Sequence, residues 1–345
     1  MSSPTTALMK TEILSTHTAA LFDAAVNRAA ELLRAGEVVV LPTETVYGLA
    51  ANALDANAVA RIFEVKGRPA HNPIIVHIAS VEMAKRCIAI WPAIADDLAR
   101  AFWPGPLTMV LPKAKDIPEI VTASGATVGV RWPSHPFIQA VIRECGFPLA
   151  APSANPSNQL SPTNAEHVRK SIGEKIPLIV DGGQSQVGIE STVIDLTTDP
   201  PAVLRPGMIH EESLIAVTGD LVSFRKKVLH GSETLRSPGL LEKHYAPKAK
   251  LLVLSWQNET DLQSAIGNRQ SAIGKCHVVA HTHIPSADGF ASVSVIPHDA
   301  EAFARAIYAE LHRCDDEGAE LIVVEALPDA PEWRAIADRL HRAAA

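Results

Sequence analysis

Apolar residues along the first 210 positions alternate between helical spacing and short β-branched runs. Residues 19–34 place an apolar side chain on one helical face at every third or fourth position, and Gly36 follows where that helix should end. The next run, Glu37–Leu41 (EVVVL), predicts a buried strand. The same patterns predict helices over residues 57–65, 80–90, 92–102 and 135–145, and strands over residues 73–78, 107–111, 127–131, 147–151, 178–181, 191–196 and 202–205.

Two short connections in this region bear on how the strands pair. The connections near residues 181–191 and 196–202 are too short for the long crossover that joins parallel neighbours. We therefore expect antiparallel neighbours at both places. The predicted fold class of this region is α/β, with a twisted open sheet of mixed parallel and antiparallel strands and flanking helices.

Beyond residue 210 the pattern weakens and then starts again. Residues 211–230 are weakly helical, and residues 231–249 contain Pro238, Gly239 and Pro247, as an extended linker would. We expect a first domain over 1–210, a linker over 211–249 and a smaller α/β, Rossmann-like domain over 250–345. In the last of these the pattern predicts strands over 250–254, 277–281, 292–296 and 320–325, and helices over 260–269, 300–313 and 331–342.

Composition is that of a soluble globular protein, with 47% hydrophobic and 20% charged residues. No apolar run has the ~20 residues of a membrane span, and the first residues lack a signal-peptide core, so we expect a cytoplasmic location. The four cysteines have no paired spacing, which argues against a disulfide framework or zinc knuckle. The net charge of −7 argues against tight, nonspecific binding of nucleic acid, although one cleft could still be basic.

Polar residues cluster where the predicted strands end, which is where open α/β sheets bind ligands. The common signatures GxxxxGK[ST], GxGxxG, HExxH and GxSxG are absent, so a nucleotide site would have to be built differently. The clusters are TETVYG (43–48), KGRP (66–69) with Asn72 and His77, TVGVRWP (127–133), APSANPS (151–157) with Ser161, and ESTV (190–193) with Arg205.

The cations in these clusters suit anionic groups. Lys66 and Arg68 flank a glycine beside a proline, and a point charge next to a planar guanidinium suits a polyphosphate. Arg131 ends an apolar strand, so its charge needs either a bound carboxylate or a structural ion-pair partner. Both interpretations of Arg131 stay open. Each cluster alone also fits an ordinary turn or strand end, but five of them in one domain favour a shared site.

Taken together, PTETVYGL, KGRPxxNPxxVH, TVGVRxP, PSANxS, ESTVxD and RPG resemble the YrdC family over about residues 20–210. The linker SPGLLEKHYAP and the second domain resemble, more loosely, the long form of the threonylcarbamoyl-AMP synthases. The resemblance implies a nucleotidyltransferase that condenses L-threonine, bicarbonate and ATP into threonylcarbamoyl-AMP and releases pyrophosphate. A partner transferase would then move the threonylcarbamoyl group to adenosine 37 of ANN-decoding tRNAs, forming N6-threonylcarbamoyladenosine.

The resemblance also implies site residues by motif position. ATP would be bound by Lys66, Arg68, Asn72, Thr127, Ser153, Asn155, Ser161, Arg205 and Tyr245, with Lys66 and Arg68 as catalytic residues. L-threonine would be bound by Thr45, His77, Arg131, Ala151 through its backbone, and Ser191, with Arg131 on the carboxylate. Mg²⁺ would come with the ATP phosphates, near Asn155 but without a protein ligand set. Residues 236–248 would form a lid, and the chain would bind no membrane and tRNA at most weakly.

Two other classes of protein stay open at this point. The carbamoyltransferase of hydrogenase maturation contains a YrdC-like module, but its Cys-rich zinc fingers and acylphosphatase-like segment have no counterpart in this sequence. A non-enzymatic module could bind duplex RNA through phosphate contacts in a basic concavity. The net charge and the hydroxyl-rich clusters weigh against that interpretation.

Overall fold

A computed structural model describes residues 11–223, 245–267 and 274–345. In the first range the strands form one large sheet: β1 (Glu12–Ser15), β2 (Val39–Leu41), β3 (Gly48–Asn52), β4 (Val76–His77), β5 (Leu107–Pro112), β6 (Thr127–Arg131), β7 (Leu149–Ala150), β8 (Leu178–Asp181), β9 (Thr192–Asp195) and β10 (Ala202–Arg205). Their order is β1-β8-β2-β3-β7-β4-β6-β5-β9-β10. Both parallel and antiparallel pairs occur within it, so the predicted mixed sheet is confirmed.

The flanking helices begin and end at residues that suit those positions. They are α1 (Ala19–Arg34), α2 (Ala56–Lys66), α3 (Val81–Cys87), α4 (Ala93–Phe102), α5 (Pro136–Cys145), α6 (Ala165–Ile172) and α7 (Glu211–Thr218). Helix α2 shows why: the Asp55 carboxylate accepts the N–H groups of Asn57 and Ala58. Gly67 then ends α2 in the left-handed conformation, with φ of 59°. Lys66 therefore lies on the last helical turn, and Arg68 lies just beyond it.

The smaller domain is a sheet of parallel strands, as the predicted Rossmann-like class requires. Its strands β11 (Lys250–Leu254), β12 (Cys276–Ala280), β13 (Ser292–Val295) and β14 (Leu321–Glu325) lie in the order β11-β14-β12-β13. Its helices are α8 (Glu259–Ile266), α9 (Ala300–Asp316) and α10 (Arg334–Ala344). None of the helices in the described ranges is both long and apolar enough to cross a membrane.

A carboxylate closes the carboxyl edge of this smaller sheet. Glu325, the last residue of β14, accepts hydrogen bonds from the backbone N–H groups of His281, Thr282 and His283. It also contacts the His283 ring, at 2.7 Å from Nδ1. These donors hold the pKa of Glu325 below its usual range even though burial alone would raise it. The position at which α/β domains usually bind an anion is therefore filled by the chain itself.

The two domains share an apolar core. Val46, Leu160 and Ile189 of the first domain are buried in one cluster with residues of α9 and α10. The loop before β9 lies directly against α9: at Gly188 a Cβ atom would stand 2.4 Å from the carbonyl oxygen of Ala304. Because so much apolar surface is buried between them, the domains are one packed unit rather than two bodies on a tether.

One predicted strand pairing is wrong. We expected antiparallel neighbours across residues 181–191, but β8 pairs in parallel with β1 and β2 near one end of the sheet. Strand β9 lies near the other end, between β5 and β10. The intervening loop follows the edge of the sheet, where Val187 and Gly188 donate to the carbonyls of Glu44 and Thr45. A loop this short cannot contain a crossover helix, but it can run along the strand ends to a distant strand of the same sheet. Across 196–202 the predicted antiparallel pair is confirmed.

Some elements gave too weak a signal to be predicted. Strand β3 (GLAAN) contains glycine and alanine, which are poor strand formers, and β1 is a four-residue strand at the sheet edge. Helix α6 is short and mainly polar. Helix α7 occupies only the start of the weakly helical 211–230 segment, and the predicted strands over 73–78 and 147–151 shorten to β4 and β7. Residues 224–244, which include most of the linker, lie outside the described residues.

Replacement of Gly188 by alanine tests the contact between the domains. Gly188 has φ of 84°, and an added Cβ would also approach the Arg305 Cα to 2.5 Å. We expect Gly188→Ala to lower the free energy of unfolding by about 1–2 kcal/mol for backbone strain, plus about 1–3 kcal/mol for overpacking. Gly183→Ala is the matched control, since Gly183 has φ of 81° and nothing within 4 Å of the added Cβ. Equal losses in urea unfolding would contradict the close interdomain contact.

Candidate functional site

Strand ends from distant parts of the sequence meet at one cavity beside the domain junction. The sheet order causes this, because β4 pairs in parallel with β6 and brings His77 level with Arg131. The residues predicted to bind threonine all line the cavity: Thr45, His77, Arg131, Ala151 and Ser191. Some of the residues predicted to bind ATP line it as well: Arg68, Ser153, Arg205 and Tyr245. The guanidinium groups at positions 68, 131 and 205 thus share one hollow.

Arg131 has an ion-pair partner within the protein, which is one of the two interpretations that the sequence left open. Its Nη2 lies 2.7 Å from Oε1 of Glu44, and both side chains are only 4% exposed. The motif TETV contains Glu44, but nothing in its pattern identified this residue as the partner. Burial and the Arg131 charge lower the pKa of His77 to about 3, so the imidazole is neutral at physiological pH. This end of the cavity therefore combines a charge-balanced arginine with a neutral ring.

Lys66 holds a loop in place rather than lining the cavity. Its Nζ donates to the carbonyl oxygens of Ser153, at 2.6 Å, and of Asn155. Burial and the nearby Arg68 lower the pKa of Lys66 well below its usual value. The catalytic role predicted for Lys66 would thus require its side chain to move into the cavity. Alternatively, Lys66 would act indirectly, by holding the loop that places Ser153 in the cavity wall.

Arg68 is fixed by the segment that follows it. Its Nε donates to the carbonyl of Asn72 at 3.0 Å, and its Nη2 donates to Oδ1 of Asn72 and to the carbonyl of Pro73. Burial lowers the pKa of Arg68 to about 10, which leaves it cationic at neutral pH. Asn72, predicted as an ATP ligand, therefore orients Arg68 in this structure.

The remaining predicted ATP residues lie outside the cavity wall. Thr127 lines a separate small pocket with Thr108 and Thr122. Asn155 donates through Nδ2 to the carbonyls of Pro156 and Gln159, while its Oδ1 is buried without a hydrogen-bond partner among the described residues. The sequence could not show that these side chains lie outside the cavity wall. Motif spacing does not reveal which side chains form hydrogen bonds within their own loops instead of facing the cavity.

Arg205 and Ser191 connect the predicted threonine and ATP subsites. Arg205 donates from Nε to the carbonyl of Ser191 at 3.0 Å and from Nη2 to its Oγ at 3.1 Å. The Ser191 hydroxyl also lies 2.8 Å from the Thr108 hydroxyl. These contacts hold the guanidinium at the end of β10 against the start of β9.

Glu190 is a cavity residue that was not predicted. Its carboxylate accepts hydrogen bonds from Ser161 Oγ at 2.5 Å, Arg339 Nε at 2.8 Å and Tyr308 Oη at 3.3 Å. Burial alone would raise the pKa of Glu190, but Arg339 and Arg205 outweigh it and hold the pKa below its usual range. Nothing in the sequence marks Arg339, since an arginine in an amphipathic helix ordinarily faces water.

The described residues contain no group of three or more His, Cys, Asp or Glu side chains that could hold a metal ion. The unsatisfied Oδ1 of Asn155 is nevertheless a hard oxygen donor of the type that Mg²⁺ accepts. A Mg²⁺ ion at this atom would need most of its ligands from outside the described residues.

Comparison with known families identifies both domains. A family model named for Sua5, YciO and YrdC, and described as "Telomere recombination", matches residues 31–207. A second model, described as "Threonylcarbamoyl-AMP synthase, C-terminal domain", matches residues 209–345. The resemblance to the YrdC family and to its two-domain form is thereby confirmed.

Similar proteins and structures extend over nearly the whole chain. The threonylcarbamoyl-AMP synthase of Bacillus subtilis is 41% identical over 326 residues, covering 93% of this chain and 93% of the relative. That of Pyrococcus abyssi is 39% identical over 318 residues, covering 91% of this chain and 92% of the relative. The crystal structure of P. abyssi Sua5 complexed with L-threonine matches with a TM-score of 0.88 and 38% identity, covering 96% of each chain.

The lowered pKa of Glu190 predicts an acid-dependent stability. A carboxylate with a lowered folded-state pKa contributes stability above its unfolded pKa of about 4.3, and that contribution is lost as the pH falls through the folded value. Glu190→Gln should therefore cost on the order of 3 kcal/mol at pH 7, because it leaves Arg339 with a weaker partner. The difference from wild type should shrink below about pH 4.3. The exposed Glu212→Gln is the control, and a pH-independent difference in urea unfolding would contradict the ion pair.

Proposed function

The chain belongs to the Sua5/YciO/YrdC family in its two-domain form, and on that premise we propose that it is an L-threonylcarbamoyladenylate synthase. It condenses L-threonine, bicarbonate and ATP into threonylcarbamoyl-AMP and releases pyrophosphate. The observation that supports this most strongly is the convergence of Arg68, Arg131 and Arg205 with the neutral His77 on one cavity. A similar protein carries L-threonine in its crystal structure.

The cavity divides the substrates between two groups of residues. Arg131 binds the carboxylate of threonine with its planar guanidinium, while Thr45, His77 and Ser191 contact its polar groups. Arg68 and Arg205 bind the phosphates of ATP, and Ser153 lines the same region. Because Arg205 is hydrogen-bonded to Ser191, the two groups of residues lie side by side and place the nucleotide next to the amino acid.

The chemistry needs alignment and charge neutralisation more than acid–base catalysis. The threonine amine nitrogen bonds to the carbon of CO₂ derived from bicarbonate and releases a proton, which gives a carbamate. A carbamate oxygen then bonds to the α-phosphorus, and the bond from that phosphorus to pyrophosphate breaks. Fixed cations at the leaving phosphates stabilise this displacement. When bound with ATP, Mg²⁺ supplies further charge neutralisation, and Asn155 Oδ1 is the side-chain atom that would hold it.

Tyr245 closes the cavity at the domain junction. Its side chain is 1% exposed and its ring centroid lies 6.1 Å from that of Tyr308. The following residue, Ala246, donates its N–H to the carbonyl of Asn158 in the loop after β7. The lid assigned to residues 236–248 falls largely outside the described residues, but its last part packs in this way. A closed cavity would protect the labile mixed anhydride from water.

The product serves tRNA modification. A downstream threonylcarbamoyl transferase complex takes the activated group to adenosine 37 of ANN-decoding tRNAs, so this chain itself needs only weak tRNA contact or none. The net charge of −7 suits that division of labour.

A pyrophosphate-release assay tests the proposal directly. We expect release from MgATP only when L-threonine and bicarbonate are both present, and almost none when either is omitted. Chelation of the metal should abolish the signal. Threonine-independent ATP turnover would contradict the proposed reaction. Salt-dependent binding of duplex RNA without any turnover would instead favour the RNA-binding module.

Arg131→Lys and Arg68→Lys are matched variants for the two substrates. Lysine keeps a charge but loses the planar pair of donors, an interaction worth about 1.5–3 kcal/mol, or about 10- to 100-fold in affinity. We expect Arg131→Lys to raise the apparent KM for threonine by that factor while the KM for ATP stays nearly constant. Arg68→Lys should do the reverse. Equal effects of both variants on both KM values in the same assay would contradict the separation of subsites.

A further inference from the structure

An arginine from the smaller domain lies behind the wall of the cavity. Arg339 is on α10 and only 1% exposed, although it belongs to the helix that closes the C-terminal sheet. Its Nε donates to Oε2 of Glu190 at 2.8 Å, and its Nη2 donates to the carbonyl of Pro206 at 3.0 Å. Pro206 directly follows Arg205. One guanidinium from the second domain thus contacts two of the chain segments that carry cavity residues.

The same guanidinium also contacts the ring that closes the cavity. The Arg339 Cζ lies 5.4 Å from the ring centroid of Tyr245, within the range of a cation–π interaction. Because Arg339 is buried, its charge depends on compensation by these neighbours and by Asp338, at 2.9 Å. The Arg339 position and the positions of Glu190 and Tyr245 are therefore mutually dependent.

We propose that Arg339 is a positioning residue for the nucleotide half of the active site. It acts through Glu190, whose carboxylate also accepts the hydrogen bond of Ser161, and through Tyr245. While Arg339 neutralises Glu190, Arg205 keeps its two hydrogen bonds to Ser191 and its place in the cavity wall. The C-terminal domain is then a part of the active site and not merely an anchor for the linker. This inference rests on the proposed function.

The expected failure without Arg339 follows from charge. The Glu190 carboxylate would be left in a buried site with Arg205 as its nearest strong cation. It would draw that guanidinium away from the phosphates or take up a proton and release Ser161. Both outcomes disturb the ATP subsite. The pocket formed by Thr45, His77 and Arg131 has its own ion pair with Glu44 and would change little.

The same helix offers a matched control. Arg334 also forms an ion pair outside its own domain, at 2.8 Å from Glu211 at the start of α7, but its side chain is 44% exposed and does not line the cavity. Arg334→Met removes an interdomain arginine without touching Glu190. Any effect that comes only from weaker attachment of the domains should therefore appear in both the Arg334 and the Arg339 variants.

The test measures pyrophosphate release by full-length Arg339→Met, Arg334→Met and Glu190→Gln/Arg339→Met, with ATP and threonine varied in turn. We expect Arg339→Met to raise the KM for ATP at least tenfold and the KM for threonine less than threefold. Arg334→Met should stay within twofold of wild type. The double variant, which lacks the unpaired carboxylate, should recover part of the ATP affinity lost in Arg339→Met.

Three results would overturn the inference. One is an unchanged KM for ATP in folded Arg339→Met; another is an equal effect of Arg334→Met. The third is a fall in kcat alone, because partial unfolding reduces the amount of active enzyme without changing KM. If Arg339→Met does not fold, Arg339→Lys keeps the charge and should show an intermediate rise in the KM for ATP. A wild-type chain that lacks threonine-dependent turnover would refute the proposed function, and MgATP affinity by titration calorimetry would still test Arg339 separately.

Discussion

The ion pair between Glu190 and Arg339 is the constraint on which the active cavity depends. It joins a loop of the catalytic sheet to the last helix of the chain, with both side chains less than 10% exposed. A buried pair of this kind contributes little net stability compared with an apolar contact, because desolvation offsets the attraction. We infer that it instead favours this arrangement of the two domains, because any arrangement that separates the pair leaves a buried charge without its partner.

The cations in and around the cavity are held in place by other groups of the chain. Backbone carbonyls hold Lys66 and Arg68, Ser191 holds Arg205, and Glu44 holds Arg131. Cations fixed in this way need little reorganisation when phosphate charge develops. The cost is that several cations are buried near each other, and burial lowers the pKa of Lys66 and Arg68. The polyanionic substrate that we propose would relieve this cost on binding.

The fold class and most of the cavity wall could be predicted from the sequence, because strand patterns and motif residues are local. Tertiary partners could not: Glu44 looked like a turn residue, and Arg339 like a solvent-facing residue of an amphipathic helix. The same is true of Lys66 and Asn72. Their motif positions do not reveal that Lys66 bonds to loop carbonyls or that Asn72 bonds to Arg68. The path of residues 181–191 was mistaken because loop length says nothing about which edge of the sheet a loop follows.

Glu325 affects whether the second domain can bind an anion of its own. A parallel α/β module normally leaves the amide groups after its strands open to a phosphate or a cofactor. Here the Glu325 carboxylate accepts hydrogen bonds from three of these amide groups. The second domain thus has the architecture of a nucleotide-binding domain, but its own carboxylate takes the donors that a phosphate would use, so the ATP site that we propose in the first domain has no competitor at this position.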